Sequence, residues 1–237
     1  AERAALAWLI ALSEPKDVKN HAVVDIDMGG AVGGSIEYRR WLVHNIVSRG
    51  DRAIQILGIV KSHSIRVVIE SPRGSAELLL DEASESDVGA LIGAAGVSDI
   101  LVNGLITYIH PGDVAVQLTS RPETKVFTVH DYTSCCPSYT LVNSQGLYCH
   151  GETDLDVCGR CLGARSMKES LLVPVATKAA MVDWRRAMRG LLESCSSIVC
   201  FSSDSEHVLQ HVYPDISRVR VIEHTLREPP SFIRRDV

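Results

Sequence analysis

The chain alternates between short apolar runs and longer stretches with helical period. Residues 21–28 (HAVVDIDM) are β-branched and end in glycines, which predicts a buried strand. Residues 35–48 follow with Ile36, Trp41, Leu42, Ile46 and Val47 on one broad face and Gly50 just beyond, which predicts a helix. Further strands are predicted at 52–60, 65–70, 99–106, 125–130, 197–201 and 218–222. Helices are predicted at 87–95, closed by Gly96, and at 175–194 and 203–212. Such alternation predicts an α/β fold, a Rossmann-like and mainly parallel sheet with helices on both faces. Residues 133–163 break the rhythm. Rich in Cys, Gly, Ser and Tyr, they read as a Cys-rich insertion held by something other than a hydrophobic core. Residues 1–20 read as an N-terminal helix or linker, 21–228 as the Rossmann-like domain, and 229–237 as a linker toward a further domain.

In open parallel sheets, ligands sit beyond the carboxyl ends of the strands. That rule singles out 29–34, 130–132 and 202–203. The first is a glycine loop, Met28-Gly29-Gly30-Ala31-Val32-Gly33-Gly34-Ser35, joining a strand to a helix. Glycines allow backbone N–H groups to approach a phosphate, and the helix N-terminus favours negative charge. A plain strand–helix turn without a ligand fits the same residues. The spacing is neither the G-x-G-x-x-G dinucleotide fingerprint nor a P-loop, which counts against a dehydrogenase and a Walker-type NTPase. His130 ends a strand, where a crevice histidine could move protons near neutral pH. Asp131 or Tyr132 could orient a hydroxyl beside it. The alternative is a structural histidine bonded to a loop carbonyl.

Cysteine usage adds a second candidate centre. Five of the seven cysteines fall between Cys135 and Cys161. Cys136, Cys149, Cys158 and Cys161 offer four thiols, the last two in a C-x-x-C knuckle, a set suited to tetrahedral structural zinc. Cys135 and His150 are spare ligands. Disulfides, free thiols or an iron–sulfur site remain open, and Cys195 and Cys200 read as small core residues.

Composition narrows the partners. A formal net charge of -5 and only 5% aromatic residues argue against nucleic acid as a partner. No apolar run reaches the roughly 18 residues that span a bilayer. Residues 1–15 are apolar without a basic leader and read as a short helix rather than a signal peptide. A chain opening on Ala1 reads as a piece of a longer protein. The basic run 184–189 reads as a solvated helix face, with contact to an anionic acceptor or membrane as the alternative. A cytoplasmic location is expected, with peripheral membrane contact as a variant.

Taken in order, these motifs resemble the N-terminal domain of family 4-like glycosyltransferases of the two-domain GT-B class, in a cysteine-containing subset. The residues carrying the resemblance are Gly33-Gly34-Ser35-Ile36-Glu37, Gly50-Asp51-Arg52-Ala53, Val129-His130-Asp131-Tyr132, Cys136-Pro137, Gly146-Leu147-Tyr148-Cys149, Cys158-Gly159-Arg160-Cys161, Ile198-Val199-Cys200-Phe201-Ser202-Ser203 and Val219-Arg220-Val221-Ile222-Glu223-His224-Thr225. The spacing between the glycines and Glu37 is one residue longer than the family pattern. The resemblance implies a nucleotide-diphosphate-sugar donor and a sugar, lipid or small-molecule acceptor, usually with retention at the anomeric carbon. It implies a donor-binding C-terminal domain of the same polypeptide and no catalytic metal. Gly33, Gly34, Asp131 and Ser202 are then the expected phosphate or substrate contacts, and His130 the catalytic residue. A non-catalytic, zinc-stabilised binding or scaffold module is the competing expectation; it needs the cysteines but not the glycine loop.

Overall fold

In the computed structural model, residues 18–29, 33–60, 62–165 and 177–223 are described. Their strands are β1 (Asn20–Asp27), β2 (Arg52–Ile59), β3 (Ile65–Ser71), β4 (Gly74–Leu80), β5 (Asp99–Val102), β6 (Thr124–Val129), β7 (Ser197–Cys200) and β8 (Val219–Val221). The helices are α1 (Gly34–Ser48), α2 (Glu85–Ala95), α3 (Pro111–Thr119), α4 (Leu155–Gly163), α5 (Lys178–Ser194) and α6 (Ser203–Val212). The expected helix over 1–20 falls almost wholly outside the described residues, and Asn20 already belongs to β1.

One sheet holds all eight strands, in the order β4-β3-β2-β1-β5-β6-β7-β8. Every pairing is parallel except β2–β3 and β3–β4. The antiparallel edge has a simple cause. Only 60–64 connect β2 to β3, and a parallel return needs a crossover of a dozen or more residues. Within that short link, Ile59 N–H donates to Ser64 O at 3.2 Å, closing a hairpin. β3 alternates as a half-covered strand should: Ile65, Val67 and Ile69 are buried, while Arg66, Val68 and Glu70 are partly open. The sequence reading passed over β4, because this edge strand is mostly exposed and its apolar residues, Leu78 to Leu80, come only at its end.

The sheet is Rossmann-like, with helices on both faces. Val23 and Ala53 face Val43 of α1, with Ile46 and Val47 beside them. On the opposite face, Ala22, Val24, Ile54, Ile56, Ile100 and Val102 meet Leu91 and Ile92 of α2, Val114 and Leu118 of α3, and Met181 and Met188 of α5. Winding thus reverses at β1, with β2 to one side and β5 to the other. Trp41 departs from its expected place on the covered face of α1. It is 44% exposed and stacks on Tyr38, and Val43 takes the buried position. No helix among the described residues is long and apolar enough to cross a membrane.

Helix ends follow local chemistry. Ser84 and Asp87 form a capping box at α2, and Gly96 closes that helix at φ 56°. Thr177 caps α5 through Ala180 N–H at 3.1 Å, so the helix starts later than the sequence pattern suggests.

At the amino edge of the sheet, His21 lies between two carboxylates. Its Nδ1 is 2.8 Å from Asp99 and its Nε2 is 3.3 Å from Asp51. Hydrogen bonding to Asp99 raises the imidazole above its ordinary 6.5, against the opposing effect of burial. The pair lowers Asp99 despite that residue's own desolvation. A raised base stabilises fully below its unfolded value, and this stabilisation fades as pH rises through the folded value. Between pH 6 and pH 8 the wild-type chain should therefore lose more stability than His21→Gln. Urea unfolding of both chains at these pH values checks the difference; equal losses would refute it.

Candidate functional site

Asp25 interrupts the apolar run of β1 and is fully buried on the α1 side of the sheet, near the strand's carboxyl end. A carboxylate there needs partners. Arg39 of α1 supplies one, its Nη1 lying 3.1 Å from Asp25 Oδ2 and also donating to Ile26 O. Asn103, just past β5, supplies another from Nδ2 at 2.8 Å. Among the described residues Asp25 Oδ1 has no hydrogen-bond partner. It lies against Gly104, where an added Cβ would come within 2.8 Å of it. Burial pushes the Asp25 carboxyl up to about 6, with Arg39 pulling the other way.

The network reaches His130 through Asn103. Asn103 Nδ2 donates to Ser35 O at 3.1 Å, and Asn103 Oδ1 is 2.8 Å from His130 Nε2. Thr128 of β6 approaches the same Oδ1 at 3.1 Å. The first turn of α1 and the imidazole are thereby joined across the β1/β5 boundary. This boundary is the switch point of the sheet, where open α/β folds bind ligands. The half-buried imidazole also packs among rings. Phe201 lies 4.5 Å and Tyr38 5.1 Å from it, centroid to centroid, and Trp41 continues the group through Tyr38. Gly33 is the N-cap of α1 and Gly34 its first residue. Both are exposed, and among the described residues no side chain caps this end and a Cβ on either would meet nothing within 4 Å. Gly29 adopts φ 64°, a left-handed conformation that favours glycine. Gly30, Ala31 and Val32 lie outside the described residues.

Asp131 and Ser202 have local work. Asp131 Oδ1 accepts from Thr133 N–H at 2.7 Å, closing the turn after β6, and burial raises its carboxyl. Ser202 caps α6, accepting from Ser205 N–H at 3.1 Å. It follows Phe201 directly, which keeps it near the imidazole. The structure thus brings Gly33, Gly34, His130 and the neighbourhood of Ser202 to one edge, with the Asp131 carboxylate engaged in its own loop.

The cysteines form a separate region. Residues 133–163 are turns closed by α4, and they are fastened to the main core. Trp184 Nε1–H donates to Thr133 O at 2.9 Å, and Tyr213 Oη–H donates to Ser134 O at 2.6 Å. Cys135, Leu141 and Cys158 belong to the central apolar cluster. The expectation of a segment without core support is corrected here: buried side chains anchor it. The C-x-x-C is also not a knuckle turn, since Cys158 and Cys161 lie one turn apart on α4. The intervening Gly159 serves helix contact, because a Cβ there would meet Lys178 N at 2.7 Å. All seven cysteines are free thiols. Burial raises Cys136, with Cys149 adding to the effect, and pushes Cys158 up to about 11 with Cys136 and Cys149 contributing. Cys136 and Cys149 pack against the same apolar cluster that holds Cys158. Cys161 Sγ accepts from Ser144 N–H at 3.3 Å. The donors are soft and suit zinc, although no three His, Cys, Asp or Glu side chains among the described residues are grouped to hold one ion. His150 packs its ring on Tyr148 at 4.5 Å. Cys195 and Cys200 are buried core residues, as expected.

The arginines of the basic run of α5 are engaged by neighbouring groups, although Arg185 Nε is buried without a hydrogen-bond partner among the described residues. Trp184 is buried, and Arg185 donates to Glu152 O at 3.0 Å and lies over the Tyr213 ring. Arg186 pairs with Asp183, and Arg189 with Glu193 and Asp215.

Compared with protein-family models, curated proteins and solved structures, the chain matches none of them.

Asp25, Arg39, Asn103, Thr128 and Phe201 escaped the sequence reading. Asp25 had a signal, a lone acid inside VVDID. Asn103 was hidden because the predicted strand ran on to 106. In the structure β5 stops at Val102, and the N–H groups of Asn103 and Gly104 turn toward Val24 O at 2.8 and 3.4 Å.

The raised Asp25 has a measurable consequence. Between about pH 4 and about pH 6 the folded chain keeps a proton that the unfolded chain has released, so stability falls as pH rises. The full effect is on the order of 3 kcal/mol. Asp25→Asn, with its NH2 in the position of Oδ1, should flatten this slope. Urea unfolding at pH 4, 5 and 6 tests it, and parallel slopes for the two chains would disprove the assignment.

Proposed function

We propose that this chain is the acceptor-side domain of a two-domain glycosyltransferase. It would move a sugar from a nucleotide-diphosphate sugar to a hydroxyl on a sugar, lipid or small-molecule acceptor, with retention at the anomeric carbon. The observation carrying this reading is the convergence of the exposed α1 N-terminus and His130 on the sheet's switch point, linked through Asn103. The order of sequence motifs resembling family 4-like glycosyltransferases supplies the chemical class.

Breaking a glycosyl–phosphate bond places negative charge on the leaving diphosphate. Backbone N–H groups at Gly33, Gly34 and Ser35, aimed by the helix start, stabilise that charge where it develops. His130 hydrogen-bonds a hydroxyl at the reacting end. The donor-binding domain of the same polypeptide closes over the edge and excludes water, which suppresses hydrolysis. No catalytic metal enters this scheme, and cytoplasmic work with peripheral membrane contact belongs to the same proposal.

Structural zinc on Cys136, Cys149, Cys158 and Cys161 completes the reading, with residues 133–163 as a Cys-rich insertion into the basic fold. Bound there, zinc would hold the thiols as thiolates and fix the lobe, without touching the transfer step.

In the full-length protein, assayed with a panel of nucleotide sugars, His130→Ala should lower the transfer rate about 100-fold. An undiminished rate would remove the histidine from the chemistry, and no transfer to any hydroxyl acceptor would sink the reading. For the metal, elemental analysis should find about one zinc per chain, and Cys158→Ser or a chelator should lower Tm by several degrees. Metal-free protein with an unchanged Tm rejects zinc.

A further inference from the structure

The network beneath His130 determines which ring nitrogen carries a proton. Ser35 O is a backbone carbonyl and can only accept. One end of the Asn103 amide lies 3.1 Å from it and 2.8 Å from Asp25 Oδ2. That end must be the NH2, because the reversed amide would press its oxygen against a carbonyl and a carboxylate. The amide oxygen therefore faces His130 Nε2 at 2.8 Å. An amide oxygen has no proton to give, so the proton in this hydrogen bond belongs to Nε2. Thr128 does not disturb the assignment. Its hydroxyl reaches Asn103 Oδ1 at 3.1 Å and Val102 O at 3.2 Å, and it is a donor toward either. The frame around Asn103 is rigid, since Asp25 is held in turn by Arg39.

We propose that Asn103 is a positioning residue that holds neutral His130 as the Nε2–H tautomer, leaving Nδ1 as the ring's acceptor. In that tautomer any hydrogen bond made by Nδ1 is received from a donor. The assignment stands on the Asn103 geometry and does not depend on the glycosyltransferase reading.

Long-range proton–nitrogen NMR of the 15N-labelled chain at pH 8 tests the tautomer directly. His130 signals are assigned by their loss in His130→Gln. The wild-type ring should show a protonated Nε2 and a bare Nδ1. Asn103→Leu, checked for folding by circular dichroism, should shift the ring to a mixture of tautomers. A wild-type ring protonated on Nδ1 overturns the proposal, and so does a folded Asn103→Leu chain with the tautomer unchanged. If that variant does not fold, the wild-type spectrum still decides. In the full-length enzyme, Asn103→Leu should lower the transfer rate about 10-fold, less than loss of the ring itself. A full-length protein without transferase activity but with the expected spectrum would defeat the sugar-transfer reading and leave the tautomer assignment standing.

Discussion

A carboxylate at the centre of an apolar sheet constrains everything around it. Asp25 is fully buried between β1 and α1, and leaving it alone would cost several kcal/mol. Its neighbours are arranged to answer that cost. Arg39 ties α1 to the strand, and Asn103 ties the end of β5 to both. Gly104 is small because Asp25 Oδ1 occupies the space a side chain would need. The group placed to solve this burial also reaches His130, so the rigidity required by the core is passed to the edge where a ligand would sit.

Topology determines where that edge lies. β1 has β2 on one side and β5 on the other, and α1 covers one face while α2, α3 and α5 cover the opposite one. Open α/β sheets bind ligands at such a reversal. Here the exposed start of α1, the imidazole and the ring of Phe201 meet at it. The antiparallel β3–β4 hairpin extends the other side of the sheet and takes no part in the site.

The cysteine region obeys a different constraint. Its backbone carbonyls reach the domain through two aromatic donors, Trp184 and Tyr213, and its apolar thiols enter the core. The lobe is thus positioned by packing whether or not its thiols carry a metal. The C-x-x-C spacing reads equally as a knuckle or as one helical turn. Asp154 decided for the helix by accepting from the N–H groups of Asp156 and Val157 at the start of α4.

Local pattern alone determined the strand–helix alternation and the positions of β1, β2, β6 and β7. Those runs are short, rich in β-branched residues and mostly buried, the pattern of a strand covered on both faces. It also determined that Gly33, Gly34, His130 and Ser202 would fall at strand or helix ends. Only the tertiary structure decided that β3 runs antiparallel, that β5 ends at Val102 rather than at 106, and that Asn103 joins His130 to Asp25 across 78 residues of chain separating Asn103 from Asp25. Periodicity records which faces of an element are covered. It carries no information on which distant polar group will satisfy a buried one, because that match depends on the register of strands brought together by folding.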